Sequence, residues 1–96
     1  MRRCYLVAYD IADPKRLRRI FSLLKGYGDH WQLSVFFCVL KELDRIRLQS
    51  DLECEMNIKE DRLMIVDLGE NEEHARKAIT SLGSPPPEPD PSLLVI

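Results

Sequence analysis

Trp31-Gln32-Leu33-Ser34-Val35-Phe36-Phe37-Cys38-Val39-Leu40 is a ten-residue run rich in β-formers. It forms either one long strand or two short strands bent near Ser34, and the run alone does not separate the two. The choice decides the fold. Upstream, Arg3 to Tyr9 carries apolar side chains on both parities, as a central strand buried on both faces does, and stops at Asp10. Asp13-Pro14 reads as an N-cap followed by proline at the first helical position. Leu17, Ile20, Phe21 and Leu24 then repeat at helical spacing until Gly26-Tyr27-Gly28.

Downstream, Glu42 to Met56 reads as a helix with Leu48, Leu52 and Met56 on one side, and Arg62 to Leu68 as a strand. Asn71 caps a short third helix whose Ala75, Ala78, Ile79 and Leu82 share a face, with Gly83 after its end. Five of the six prolines fall between Ser84 and Pro91, which predicts an extended arm delivering Leu93-Leu94-Val95-Ile96 as a strand at a sheet edge. The organisation expected is therefore a domain over 1–83 and an arm with a closing strand over 84–96.

If the first run contains a hairpin, the order is βαββαβ: an α+β, ferredoxin-like sandwich with a short extra helix and a C-terminal strand. Two helices cover one sheet face and leave the other open. Because strand one is apolar on both parities, that open face is expected to pack against a second copy. A chain of 96 residues is a single small domain, and oligomerisation is a natural supplement to its core.

Charge is informative when divided along the chain. Residues 1–30 hold seven Lys/Arg against three Asp/Glu, whereas residues 31–96 hold seven against thirteen, for a net charge of −2. This excludes a protein that coats nucleic acid by bulk charge and leaves open one that binds through a local ridge. The apolar runs are far shorter than the ~20 residues that span a bilayer, so a cytoplasmic protein without membrane attachment is expected. Cys4, Cys38 and Cys54 have no CxxC spacing and His30 and His74 fit no zinc pattern, which leaves the thiols as buried core groups.

Several strings stand in a familiar order: Tyr9-Asp10-Ile11, Lys15-Arg16-Leu17-Arg18-Arg19, Gly26-Tyr27-Gly28, Gln32-Leu33-Ser34-Val35-Phe36, Asp61-Arg62-Leu63, Leu82-Gly83, the proline arm and Val95-Ile96. Together they resemble the small CRISPR-associated nuclease family, the second protein of the spacer-adaptation pair, over nearly the whole chain. The resemblance implies a ferredoxin-like homodimer, a bend near Ser34 and a C-terminal strand that joins the partner's sheet. It also implies a metal site at Asp10. His30 stands where relatives often carry Arg, and Phe37 where they often carry Glu.

Asp10 has no evident structural task, since Asp13 already caps the next helix, although a turn-stabilising role is the plain alternative. One carboxylate holds Mg²⁺ poorly; a two-fold axis would bring two together, with waters completing the shell and one of them available as nucleophile. Asp10 is thus the candidate catalytic and metal-binding residue. Lys15, Arg18, Arg19 and Ser22 follow one helical stripe opposite Leu17, Ile20 and Leu24, and with Arg16 they make up the candidate phosphate-binding group. Tyr9, His30 and Phe36 are accessory candidates. Phe36 and Phe37 are strand neighbours facing opposite ways, so at most one of them is expected to stack on a base.

Two functions compete. One is an Mg²⁺-dependent endonuclease acting on RNA or DNA within CRISPR spacer acquisition. The other is a non-catalytic dimeric bridge that clasps duplex DNA between copies of the adaptation integrase. A base-stacking RNA-recognition module is disfavoured, because Ser34-Val35-Phe36-Phe37-Cys38 lacks the glycines of that motif.

Overall fold

The structure, a computed structural model, describes residues 1–84. The arm and closing strand expected over 84–96 lie, apart from Ser84, outside the described residues. The elements run β1 (Arg2–Asp10), α1 (Pro14–Lys25), β2 (Asp29–Gln32), β3 (Val35–Lys41), α2 (Glu42–Glu55), β4 (Arg62–Gly69) and α3 (Glu72–Lys77). The Trp31–Leu40 run is two strands. They bend at Leu33-Ser34, where the Tyr9 amide donates to the Ser34 carbonyl at 3.1 Å and the Tyr9 hydroxyl to the Leu33 carbonyl at 3.4 Å. That hairpin gives the four-stranded order β2-β3-β1-β4 with every pair antiparallel, the ferredoxin-like arrangement.

β1 is central, buried along one face and, on the other, buried at Cys4 and half-buried at Leu6 and Ala8. Tyr5, Val7 and Tyr9 join Ile20 and Leu24 of α1, Phe36 and Cys38 of β3, and Leu48 and Leu52 of α2 in the main core. Fully burying a side chain such as Val7, Ile20 or Leu48 contributes about 1.5–3 kcal/mol. α1 begins as expected: Asp13 accepts from the Arg16 amide at 2.9 Å and Pro14 follows in the first turn.

On the other face Cys4 and Phe37 are buried beneath Ala75 of α3, with Leu6, Trp31, Val39, Leu68 and Ile79 around them. The expectation that this face is left open is therefore corrected: α3 covers the end near Cys4. The Arg76 guanidinium lies over the Phe37 ring at 4.4 Å and the Trp31 ring at 5.6 Å, which holds the short helix down. What stays open is the strip at the Asp10 end, where Met64 is 60% and Val66 37% exposed beside half-buried Leu6 and Ala8.

α3 is also shorter than the spacing predicts. It ends at Lys77 with Ala78 as its C-cap, so of the four stripe residues only Ala75 lies within it, and Leu82 is 91% exposed. A six-residue helix has little cooperativity of its own, and it persists as far as packing on Phe37 and the Arg76–Glu72 and Lys77–Glu73 pairs hold it.

Candidate active site

Asp10 closes β1 directly opposite Arg62, the first residue of β4. Its carboxylate is 76% exposed and meets the Arg62 guanidinium at 3.4 Å, a long contact to a side chain itself 87% exposed. Such a pair contributes little to stability, so the carboxylate is held in place by the strand end rather than by a strong partner. A shallow groove of about 470 Å³, lined by Ala8, Tyr9, Asp10, Arg62, Leu63 and Met64, opens beside it. Asp10 shares the parity of Leu6 and Ala8, so it belongs to the sheet face opposite α1 and α2.

The donor chemistry suits a hard cation. Mg²⁺ takes one or two carboxylates and retains water, and Asp10 is an accessible carboxylate at a strand end. Among the described residues of one chain, no group of three or more His, Cys, Asp or Glu is placed to hold a metal. A cation held at Asp10 would complete its shell with water, with a nucleic-acid phosphate or with a carboxylate from a second copy.

The basic stripe of α1 divides in the folded chain. Lys15, Arg18, Arg19 and Ser22 line a groove of about 610 Å³ together with Leu23 and Glu55. Arg19 is paired to Glu55 at 2.9 Å, both exposed; among the described residues Lys15 and Arg18 make no ion pair. Arg16 differs. Its Nε donates to Asp61 Oδ2 at 2.9 Å and its Nη2 to Asp61 Oδ1 at 3.1 Å, and the Asp61 side chain is fully buried. Drawing Arg16 out to a phosphate would leave that carboxylate buried and uncompensated, so Arg16, unlike Lys15 and Arg18, is engaged as a structural counter-charge in the folded chain.

The aromatic candidates are likewise absorbed by the core. Tyr9 and Phe36 are buried, with ring centroids 6.3 Å apart, and burial pushes the Tyr9 hydroxyl above its ordinary pKa. Phe37 is buried beneath α3, so neither phenylalanine offers a face for base stacking. His30 is exposed on the edge strand β2, packed edge-on against Phe21 and tilted against Phe36, each at 5.0 Å.

Two further acidic residues shape the site and were not singled out as its members in the sequence: Glu55 opposite Arg19, and Asp61. Their signal was tertiary, since Asp61 lies 45 residues from Arg16 and Glu55 lies 36 from Arg19. Arg16 holds the Asp61 carboxyl far below the usual range, helped by the Ala12 and Asn57 amides against the opposing cost of burial. Asp67 is lowered by Arg3, and Asp13 by the Arg16 amide. A carboxyl whose folded pKa is depressed stabilises the fold above its unfolded pKa, and that contribution is lost as pH falls. Stability is therefore expected to decline as pH drops below about 4. Asp61→Asn should flatten that decline in urea midpoints measured from neutral to acid pH, and an unchanged slope would show that other carboxyls control it.

The antiparallel four-stranded sheet, with two helices on one face and an acidic strand end on the other, places the chain among ferredoxin-like α+β domains. The family model described as CRISPR associated protein Cas2 matches residues 2–76, and the chain belongs to that family. A relative from Rhodospirillum rubrum, named CRISPR-associated endoribonuclease Cas2 1, is 48% identical over 79 residues, covering 82% of this chain and 76% of that one. The Synechocystis protein of the same name is 38% identical over 95% of this chain and 98% of its own. Among solved structures, the hypothetical protein TT1823 from Thermus thermophilus superposes with a TM-score of 0.78 at 33% identity, over 94% of this chain and all of that one, 100%. Streptococcus pyogenes Cas2 does so with 0.74 at 29%, over 83% and 99%. Among the described residues no helix is long and apolar enough to cross a membrane.

Proposed function

We propose that this chain is a cytoplasmic, homodimeric, Mg²⁺-dependent endonuclease that cleaves phosphodiester bonds in RNA or DNA during CRISPR spacer acquisition. The observation that carries this reading is the exposed Asp10 carboxylate, weakly engaged by Arg62, on the strip of sheet that α3 leaves open. The relatives' endoribonuclease names support the same activity. Two copies meeting through Ala8, Met64 and Val66 would bury apolar surface and set their Asp10 carboxylates at the shared face. When bound there, Mg²⁺ supplies an acidified water and polarises a phosphoryl oxygen. The chain's own part is to present Asp10, and to draw the substrate backbone in with Lys15, Arg18 and Arg19.

A second reading, a non-catalytic bridge that holds duplex DNA alongside the adaptation integrase, is favoured by one observation. The cationic stripe lies on the helix layer and Asp10 on the opposite sheet face, so phosphates held by the stripe are not thereby brought to Asp10 of the same copy. The deciding experiment incubates purified protein with RNA and DNA in Mg²⁺ or chelator, beside Asp10→Ala, and sediments it to read its mass. Cleavage that needs both metal and Asp10, from a dimer, supports the nuclease; tight duplex binding without cleavage supports the bridge. Activity indifferent to both metal and Asp10 rejects the site.

Duplex binding tests the stripe separately. Arg18→Ala with Arg19→Ala should weaken affinity alike across sequences and lower the salt dependence by about one counterion per lost contact. Glu55→Gln frees Arg19 and should tighten binding a few-fold, on the scale of an exposed ion pair at about 0.2–1 kcal/mol. If neither variant moves affinity at matched salt, the stripe is only a solvated face.

A further inference from the structure

Asp61 is the buried charged residue of the described chain, and the chemistry proposed for Asp10 makes no use of it. Its carboxylate joins three segments. It accepts from the Ala12 amide in the loop leaving β1 at 2.9 Å, and from the Asn57 amide in the turn before β4 at 2.9 Å. Arg16 in the first turn of α1 supplies the two remaining bonds. Ala12 follows Asp10 by two residues, and Arg62, next after Asp61, is paired with Asp10 across β1 and β4. The strand end bearing Asp10 is therefore gripped on both sides by one side chain.

We infer that Asp61 is a positioning residue for Asp10, fixing through Ala12 and Arg62 the strand end from which that carboxylate meets a metal ion. The inference rests on the reading of Asp10 as the metal-binding group. Groups that orient a metal ligand from behind typically change metal affinity or activity 10–100-fold when altered, because a ligand free to wander must be reordered on binding. A residue that merely anchored the fold would lower the fraction of folded protein and hence the rate at saturating Mg²⁺. It would leave the Mg²⁺ concentration for half-maximal rate where it was.

The test measures that half-saturating concentration for the full chain, its Asp61→Asn variant and Arg16→Lys, which keeps the charge but loses the two-pronged bond. Each is assayed below its own melting temperature, and amide hydrogen exchange at Ala12 is followed in parallel. Asp61→Asn should raise the half-saturating Mg²⁺ about tenfold or more, speed exchange at Ala12 and leave KM for nucleic acid unchanged. Arg16→Lys should fall between it and the parent. A folded Asp61→Asn with the parent's Mg²⁺ dependence overturns the inference; should that variant not fold, an unshifted Arg16→Lys does so. Asp10→Ala in the same series separates the two readings. Full activity there removes the metal assignment and the inference with it, whereas loss there with unmoved Mg²⁺ dependence in Asp61→Asn overturns positioning alone.

Discussion

Asp10→Ala is expected to cut Mg²⁺-dependent cleavage by roughly a hundredfold or more while leaving the melting temperature nearly unchanged. The two effects separate because of where the residue sits. Its side chain is 76% exposed, its one described partner is Arg62 at 3.4 Å, and it caps no helix. Surface changes of this kind usually move stability by less than about 0.5 kcal/mol. The chemical cost is of another order, since a charged oxygen ligand is lost, and among the described residues no group of three or more His, Cys, Asp or Glu is placed to hold the metal instead. Asp10→Asn sharpens the result by preserving shape and removing only charge. Mg²⁺ should raise the melting temperature of the parent by binding its folded form, and should fail to do so in the Asn variant. A wild-type Mg²⁺ shift in that variant would place the metal elsewhere.

Gly28→Ala should lower the melting temperature by roughly 15 °C, corresponding to about 3 kcal/mol for a domain of this size. The obstacle is space. A Cβ at Gly28 would lie 2.5 Å from the Cys38 sulfur, 2.6 Å from the Phe37 carbonyl oxygen and 3.0 Å from the Cys38 Cα. Neither neighbour yields easily: Cys38 is fully buried in the main core, and the Phe37 carbonyl belongs to β3, with Phe37 opposite Asp29 of β2. Relief would have to come from lifting the turn that joins α1 to β2 off the sheet. Adding Cys38→Ala should recover only part of the loss, because the carbonyl contact remains. Thermal melts of the parent and the two variants decide it, and a single variant that melts with the parent would mean the turn relaxes without cost.

The two glycines after α1 also show where sequence reading stops. Gly26-Tyr27-Gly28 announces a helix end, and α1 does end at Lys25. Yet Gly26 adopts right-handed helical angles, and the need for glycine arises at Gly28, from a sulfur and a carbonyl supplied by another strand. The placing of Asp10 was legible in a similar way: a carboxylate ending an otherwise apolar strand, with Asp13 already serving as cap, stands in the structure as an exposed strand end. Its pairing with Arg62 depends on β-sheet register.

What the sequence determined by itself are the features governed by local chemistry: the apolar parity of β1, the Asp13-Pro14 start of α1, the Leu48/Leu52 face of α2 and the Asn71 cap of α3. Each depends on residues a few positions apart, where propensity and spacing carry the information. The bend at Leu33-Ser34, the burial of Tyr9, Phe36 and Phe37, and the division of the α1 cations into exposed Lys15, Arg18 and Arg19 and the captured Arg16 belong to tertiary structure. These outcomes turn on which distant group arrives opposite. Arg16 and Arg18 have identical side chains two residues apart, and Asp61 reaches only one of them, because that helix face alone turns toward the start of β4.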